Sequence, residues 1–225
     1  MKRVVKQFAV VCWLAAVLAG SATIADDTAL RRLAIEKRIA AYVPDPAYAD
    51  DEYGLLVVRA AMQSNREGSG GIGACLVDSR SGKVVARGRN RQYIDYFRSD
   101  LHAEMDLLNR YEDRERKKRV PGRPDSIRDC SDLVLVTSVE PCPMCLTRII
   151  NSGVKTVLYL INDTEGGMAE RVNMLPPFWR EFAADRLFKK ADCSPELQQL
   201  AHDLFHFSHR SFAKDRGRYE ENKDQ

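Results

Sequence analysis

The chain has 225 residues, 44% hydrophobic and 30% charged, which suits one globular domain with a real core and excludes a disordered or fibrous chain. Its formal charge is +3, from 35 Lys+Arg against 32 Asp+Glu, but Lys2, Arg3 and Lys6 lie in a first stretch of 25 residues without acids, so the remainder balances at 32 against 32. A neutral chain lacks the basic footprint of a nucleic-acid binder, which argues against a nucleic-acid partner.

The three N-terminal bases precede an apolar run from Phe8 to Leu18 and then the small residues Ala19-Gly20-Ser21-Ala22. This layout predicts a signal peptide over 1–25, cleaved after Ala22 or Ala25, and hence export to the periplasm or beyond. The apolar run is short against the roughly 20 residues of a spanning helix, so contact with the membrane is expected only in transit. Residues 26–50 are expected as an N-terminal helical extension, with a helix from Thr28 to Tyr42 ended by Pro44-Asp45-Pro46. A second helix runs from Asp51 to Asn65 and breaks at Gly68–Gly71. Two strands, Ile72–Val77 and Lys83–Arg87, flank the turn Asp78–Gly82. Leu101–Tyr111 reads as a helix, with His102 and Glu104 in its first turn, and Arg114–Arg128 as a polar surface loop.

Asp132–Val139 is a nearly continuous apolar strand, the kind buried on both faces in α/β proteins. A helix follows from Cys142 to Ser152, then a strand from Val154 to Ile161. A short helix at Phe178–Ala184, a strand at Arg186–Ala191 and a last helix from Pro195 to Phe207 complete the main domain, 51–207. Residues 208–225 are expected as a polar C-terminal tail. The alternation of strands and helices predicts an α/β fold, a three-layer α/β/α sandwich. Pro176-Pro177-Phe178-Trp179 is expected either to cover the pocket or to pack into the core.

The chemistry concentrates in two short motifs. His102-Ala103-Glu104 and Pro141-Cys142-Pro143-Met144-Cys145 supply one imidazole and two thiolates, the three protein ligands of a catalytic zinc whose fourth position holds water. No further Cys or His stands at ligand spacing to close a structural site. Cys142 and Cys145, three apart at a helix start, share one face, and the positive helix end favours their thiolate form. Glu104 is not needed to bind metal and is placed to move protons on and off the water. His-x-Glu with Pro-Cys-x-x-Cys is the signature of zinc deaminases acting on nucleobases. The attack would fall on an amidine carbon such as C4 of cytosine or C6 of adenine. Of the remaining cysteines, Cys75 reads as a small buried apolar residue, and Cys130 and Cys193 are expected unpaired. His202, His206 and His209 fall on one side of the last helix, opposite Leu197, Leu200 and Leu204, as exposed residues or a second, surface metal site.

The run Thr137-Ser138-Val139-Glu140-Pro141-Cys142-Pro143-Met144-Cys145 resembles the cytidine deaminase-like superfamily, in the branch with guanine deaminases and tRNA adenosine deaminases. His102-Ala103-Glu104-Met105, Gly73-Ala74 and Asn90 are similar to the same families, and the likeness spans about 51–207. It implies a five-stranded mixed sheet with helices on both faces and a parallel last strand. It further implies one Zn2+ per chain on His102, Cys142 and Cys145, with Glu104 as proton shuttle. Asn90 would hydrogen-bond the substrate, although its residue type alone also suits a turn closing a strand. Ala103 would lend backbone to the pocket, and a homodimer is the common assembly of such relatives. One departure is Arg98-Ser99-Asp100-Leu101, where the family often carries Asp-Pro-Thr. The expectation is an exported, zinc-dependent hydrolytic deaminase of a free nucleobase or nucleoside, a purine before a pyrimidine. The rival readings are a tRNA adenosine deaminase and an inactive zinc-stabilised binding module.

Overall fold

The computed structural model describes residues 28–118 and 130–215, with side chains as far as 207. The expected signal peptide, much of the expected loop and the end of the expected tail lie outside the described residues. Two compact units divide the chain between Tyr42 and Val43. The first holds α1, helical over 28–41.

The second unit runs α2 (Asp51–Arg66), β1 (Gly73–Asp78), β2 (Val84–Arg89), α3 (Ala103–Lys117), β3 (Leu133–Val139), α4 (Pro143–Ser152) and β4 (Thr156–Ile161). A 3-10 turn (Val172–Met174), α5 (Pro177–Phe182), β5 (Leu187–Lys190) and α6 (Pro195–Asp215) follow. The sheet order is β2-β1-β3-β4-β5. β1 is antiparallel to both β2 and β3, whereas β4 is parallel to β3 and to β5. The five-stranded mixed sheet and its parallel last strand are therefore as the family likeness implies. Helices α2 and α6 pack on one face and α3 and α4 on the other.

Successive strand residues point to opposite faces, so a strand covered on both sides must be apolar throughout. In β3, Leu135 and Val136 are both fully buried, one toward each helical layer. On the α2 side the core is filled by Val57, Val58, Ala61, Leu197 and Leu200. On the other side Leu76, Leu107, Leu135 and Ile149 belong to one buried cluster. Each such Leu contributes about 1.5–3 kcal/mol on burial, which makes this sheet a stiff platform for the loops at its edge.

Glycine permits two close approaches. The hairpin turn closes at Gly82 with φ +67, a left-handed conformation costly for other residues. At Gly88 on β2, an added Cβ would lie 2.5 Å from the Ala103 carbonyl oxygen and 2.6 Å from the Leu107 nitrogen. The start of α3 rests directly on this strand.

Three boundaries differ from the sequence reading. Helix α3 continues to Lys117 through the Arg114–Lys117 stretch expected as loop. Charged residues are good helix formers where solvent covers them, and Lys118 pairs with Glu115 at 2.9 Å. Helix α6 continues to Asp215 instead of ending at Phe207, since neither proline nor glycine interrupts it before Gly217. His102 and Cys142 are N-cap residues, not first-turn residues. Pro143, unable to donate a backbone N–H, takes the start of α4 and leaves Cys142 outside the helix. No helix among the described residues is long and apolar enough to cross a membrane.

Candidate zinc and proton-transfer site

The carboxyl ends of β2 and β3 lie at the same edge of the sheet, because both run antiparallel to β1 between them. The loops leaving these strands end at the N-caps of α3 and α4. There His102 has φ −66 and ψ 165, and Cys142 has φ −70 and ψ 169. Extended backbone at an N-cap sends the side chain forward of the helix, toward its positive end. Two helix starts therefore aim ligands at one point.

His102 Nδ1 lies 3.6 Å from Cys142 Sγ, and the donor atoms of His102, Cys142 and Cys145 all lie within 4.8 Å of one another. A tetrahedral ion with zinc–nitrogen and zinc–sulfur bonds of about 2.0 and 2.3 Å spaces such a pair about 3.6 Å apart. The donor set thus fits zinc in number, element and spacing. The fit leaves a fourth tetrahedral position with no protein donor among the described residues.

Protonation in the metal-free protein is uneven across the thiols. Cys142 is held down at about 4, mainly because the Cys145 thiol donates to its sulfur, with His102 adding to the effect against the penalty of burial. Cys145 is pushed up by that same bond, by burial and by Glu104. Burial opposes charge on His102, but the Cys142 sulfur outweighs it and raises its pKa. Glu104 is raised by burial and then by the Cys142 charge, as expected for a carboxylate taken out of water beside an anion.

Glu104 is 4% exposed, and the Thr137 hydroxyl donates to its Oε1 at 3.2 Å. Thr137 sits on β3 opposite Ala74 of β1, and Ser138 Oγ accepts from the Gly73 amide at 3.1 Å. The Thr-Ser pair therefore aligns both the strand edge and the acid. Beside Glu104, the Asp106 carboxylate accepts from Arg110 at 2.8 Å and from the Arg89 amide at 3.3 Å, tying α3 to the end of β2.

His102, Glu104 and Cys142 open into a cavity of about 300 Å³. Asn90, Gln92, Tyr93, Phe97, Val139, Glu140, Asp163 and Phe205 also line it. Asn90 stands in the cavity wall and also closes the turn after β2. Its Oδ1 accepts from Ser69 Oγ at 2.7 Å and from the Gln92 amide at 3.0 Å, and its Nδ2 donates to Gln92 at 3.1 Å. Ala103 is wholly buried, with its carbonyl at Gly88, and does not line the cavity. Phe178 and Trp179 do not line it either. Trp179 packs against the cluster of Leu146, Ile150 and Tyr159, and Phe178 is exposed. The segment before α3 borders the cavity through Tyr93 and Phe97, whose rings are 5.3 Å apart, whereas Arg98-Ser99-Asp100-Leu101, which depart from the family wording, are not among its lining residues.

Sequence reasoning assigned no role to Glu140. It is buried, and both of its oxygens accept backbone amides from the loop after β4: Asp163 at 3.1 Å and Glu170 at 3.0 Å. Gly167 passes so close that a Cβ there would lie 2.4 Å from the Glu140 carboxyl carbon. A charged residue inside an otherwise apolar strand–helix junction was the signal available in the sequence. No disulfide joins any of the five described cysteines, and Cys75 is buried as expected.

Comparison with known proteins agrees with this geometry. Residues 48–161, just over half of the chain, match the cytidine and deoxycytidylate deaminase zinc-binding region. Cytosine deaminase of Candida albicans is 33% identical over 127 residues, covering 56% of this chain and 70% of that protein. A tRNA-specific adenosine deaminase of Bacillus subtilis is 29% identical over 118 residues, covering 52% of this chain and 65% of its own length. Among solved structures, a guanine deaminase from Nitrosomonas europaea superposes with a TM-score of 0.51 at 20% identity, over 76% of this chain and 91% of that one. A tRNA:A34 deaminase superposes with a TM-score of 0.50 at 22% identity, over 66% and 95%. With the His-Cys-Cys donor set and the buried acid inside the matched segment, the chain belongs to the zinc-binding cytidine and deoxycytidylate deaminase family.

Proposed function

We propose that this protein is an exported hydrolase that deaminates a free nucleobase or nucleoside, a purine in preference to a pyrimidine. The observation that carries the reading is Glu104, a buried carboxylate oriented by Thr137 beside a His-Cys-Cys set at the floor of a small cavity. Zinc held by His102, Cys142 and Cys145 would supply Lewis-acid activation of the attacking water near neutral pH. Glu104 takes a proton from that water and delivers it to the ring nitrogen beside the amidine carbon. As the water oxygen bonds to that carbon, Glu104 carries the remaining proton of the added hydroxyl to the exocyclic amine, so that the C–N bond breaks, ammonia leaves and a carbonyl remains. Burial raises the Glu104 carboxyl, which suits a group that must accept and return protons at the same pH.

The cavity volume supports a single base or nucleoside, with room for a bicyclic ring, and Tyr93, Phe97 and Phe205 offer aromatic walls for stacking. Its lining holds no lysine or arginine, and the charge of residues 26–225 is balanced. The Bacillus subtilis relative favours a second reading, an adenosine within tRNA. An inactive zinc module would have no use for Glu104.

The test is ammonia release by the zinc-loaded protein across guanine, adenine, cytosine and their nucleosides, with Glu104→Ala as control. Turnover of one compound that disappears in the control supports the reading. Turnover of tRNA adenosine alone moves it to the second. Export is tested separately: expressed from the full sequence, the protein should be recovered outside the cytoplasm beginning at residue 23 or 26.

A further inference from the structure

Helix α6 carries three of the chain's four histidines, and the deaminase chemistry uses none of the three. His202 and His206 are four residues apart, so their side chains leave the same helical face. Their ring centroids are 4.2 Å apart, with planes tilted by 53°, and both residues are exposed. The opposite face is fixed in the core: Leu197, Leu200 and Ala201 are fully buried and Leu204 nearly so. The backbone that spaces the two imidazoles is therefore held by packing.

The surroundings are polar and weakly anionic. Gln199 Nε2 lies 3.5 Å from His202 Nδ1 and donates to Asp203 Oδ1 at 2.8 Å. That carboxylate oxygen is 3.8 Å from His202 Nδ1. Two imidazole nitrogens bound to one ion at about 2.0–2.1 Å are roughly 3 Å apart, a spacing within reach of rings this close. Nitrogen donors of this kind select borderline divalent ions such as Ni2+, Cu2+ and Zn2+ over Mg2+ or Ca2+.

We propose that His202 and His206 form a second metal site, a surface chelate for a borderline divalent cation, with water completing its coordination and Asp203 supplying nearby negative charge. It is separate in ligands and chemistry from the thiolate site. Phe205, on the same turn, lines the substrate cavity, so the two sites share one helix.

The probe is Ni2+, titrated calorimetrically into tag-free, zinc-loaded full-length protein, with zinc content measured in the same samples. One Ni2+ per chain should bind while zinc is retained, and Ni2+ should raise the melting temperature, as any ligand selective for the folded state does. His202→Ala and His206→Ala should each weaken binding by more than about tenfold, since even outer-shell changes cost 10–100-fold at metal sites. Both rings are exposed, so an unchanged melting temperature without nickel is expected for each variant. His202→Gln and His206→Gln repeat the test with side-chain bulk retained. Undiminished affinity in the protein carrying both His202→Ala and His206→Ala, or nickel bound only where zinc has been lost, would overturn the proposal.

Discussion

Replacing Glu140 by Gln tests whether the buried carboxylate organises the cavity loop. In the wild type each oxygen receives one backbone amide, Asp163 at 3.1 Å and Glu170 at 3.0 Å. Hydrogen bonds to a charged partner contribute about 1.5–3 kcal/mol each, against about 1 kcal/mol for neutral ones. Glutamine keeps one acceptor but presents an NH2 group to the other amide, leaving a buried donor unsatisfied at about 1–3 kcal/mol. Adding the charge assistance lost at the remaining bond gives a cost of about 2–4 kcal/mol. For a protein of this size that lowers the melting temperature by about 4–16 °C. Calorimetry reads the shift, and hydrogen exchange at the Asp163 and Glu170 amides locates it. Substrate affinity should fall as well, because Asp163 lines the cavity. A variant within 0.5 kcal/mol of wild type (about 1–2 °C), with both amides still protected, would refute the reasoning.

Thr137→Val removes the hydroxyl that donates to Glu104. It should reduce kcat/KM by about tenfold or more while zinc content, measured by metal analysis, stays at one per chain. Gly88→Ala drives a Cβ into backbone atoms of α3. It should cost about 1–3 kcal/mol in urea unfolding and weaken zinc retention against a chelator, because His102 and Glu104 move with that helix. Zinc loading at neutral pH should release at least one proton per ion, since Cys145 is held protonated by Cys142 and burial in the metal-free protein. Calorimetry in buffers of different ionisation enthalpy measures it, and a count of zero contradicts the assignment. Burial lifts Cys75 from its ordinary 9.0 to about 12. A group raised on folding contributes stability that is complete below its unfolded pKa and lost as pH rises toward the folded one. Stability should therefore fall above pH 9 by about 1.4 kcal/mol per pH unit from this thiol. In Cys75→Ala that part of the alkaline slope should be absent.

The candidate metal donors were legible because their chemistry is local: His102 and Glu104 share one short segment, Cys142 and Cys145 another, and residue type with spacing points to the site. The sheet was legible where strands are buried on both faces, as in Leu133–Val139, since unbroken apolar runs have few other uses. Roles that depend on contacts between distant segments could not be read in this way. Glu140 resembles any acid beside a helix start until the loop after β4 folds back and offers it two amides. The end of α3 lay beyond the sequence reading because its last turn is solvated, where helix propensity without an apolar stripe decides the outcome.

The N-cap positions of His102 and Cys142 connect the local signal to the distant one. Each ends a loop in extended backbone, so its direction is set by what anchors that loop to the sheet. For α3 the anchors are Gly88 under Ala103 and the Asp106 carboxylate on the Arg89 amide. For α4 they are Glu140, through its own amide on the Ile161 carbonyl at 2.9 Å, and the Met168 amide on the Pro141 carbonyl at 2.9 Å. A tetrahedral site tolerates displacements of only a few tenths of an ångström at its donors. Anchors in β2, β4 and the loop after β4 therefore govern the metal as directly as the ligands do, although none of them appears in the motif by which the site is recognised.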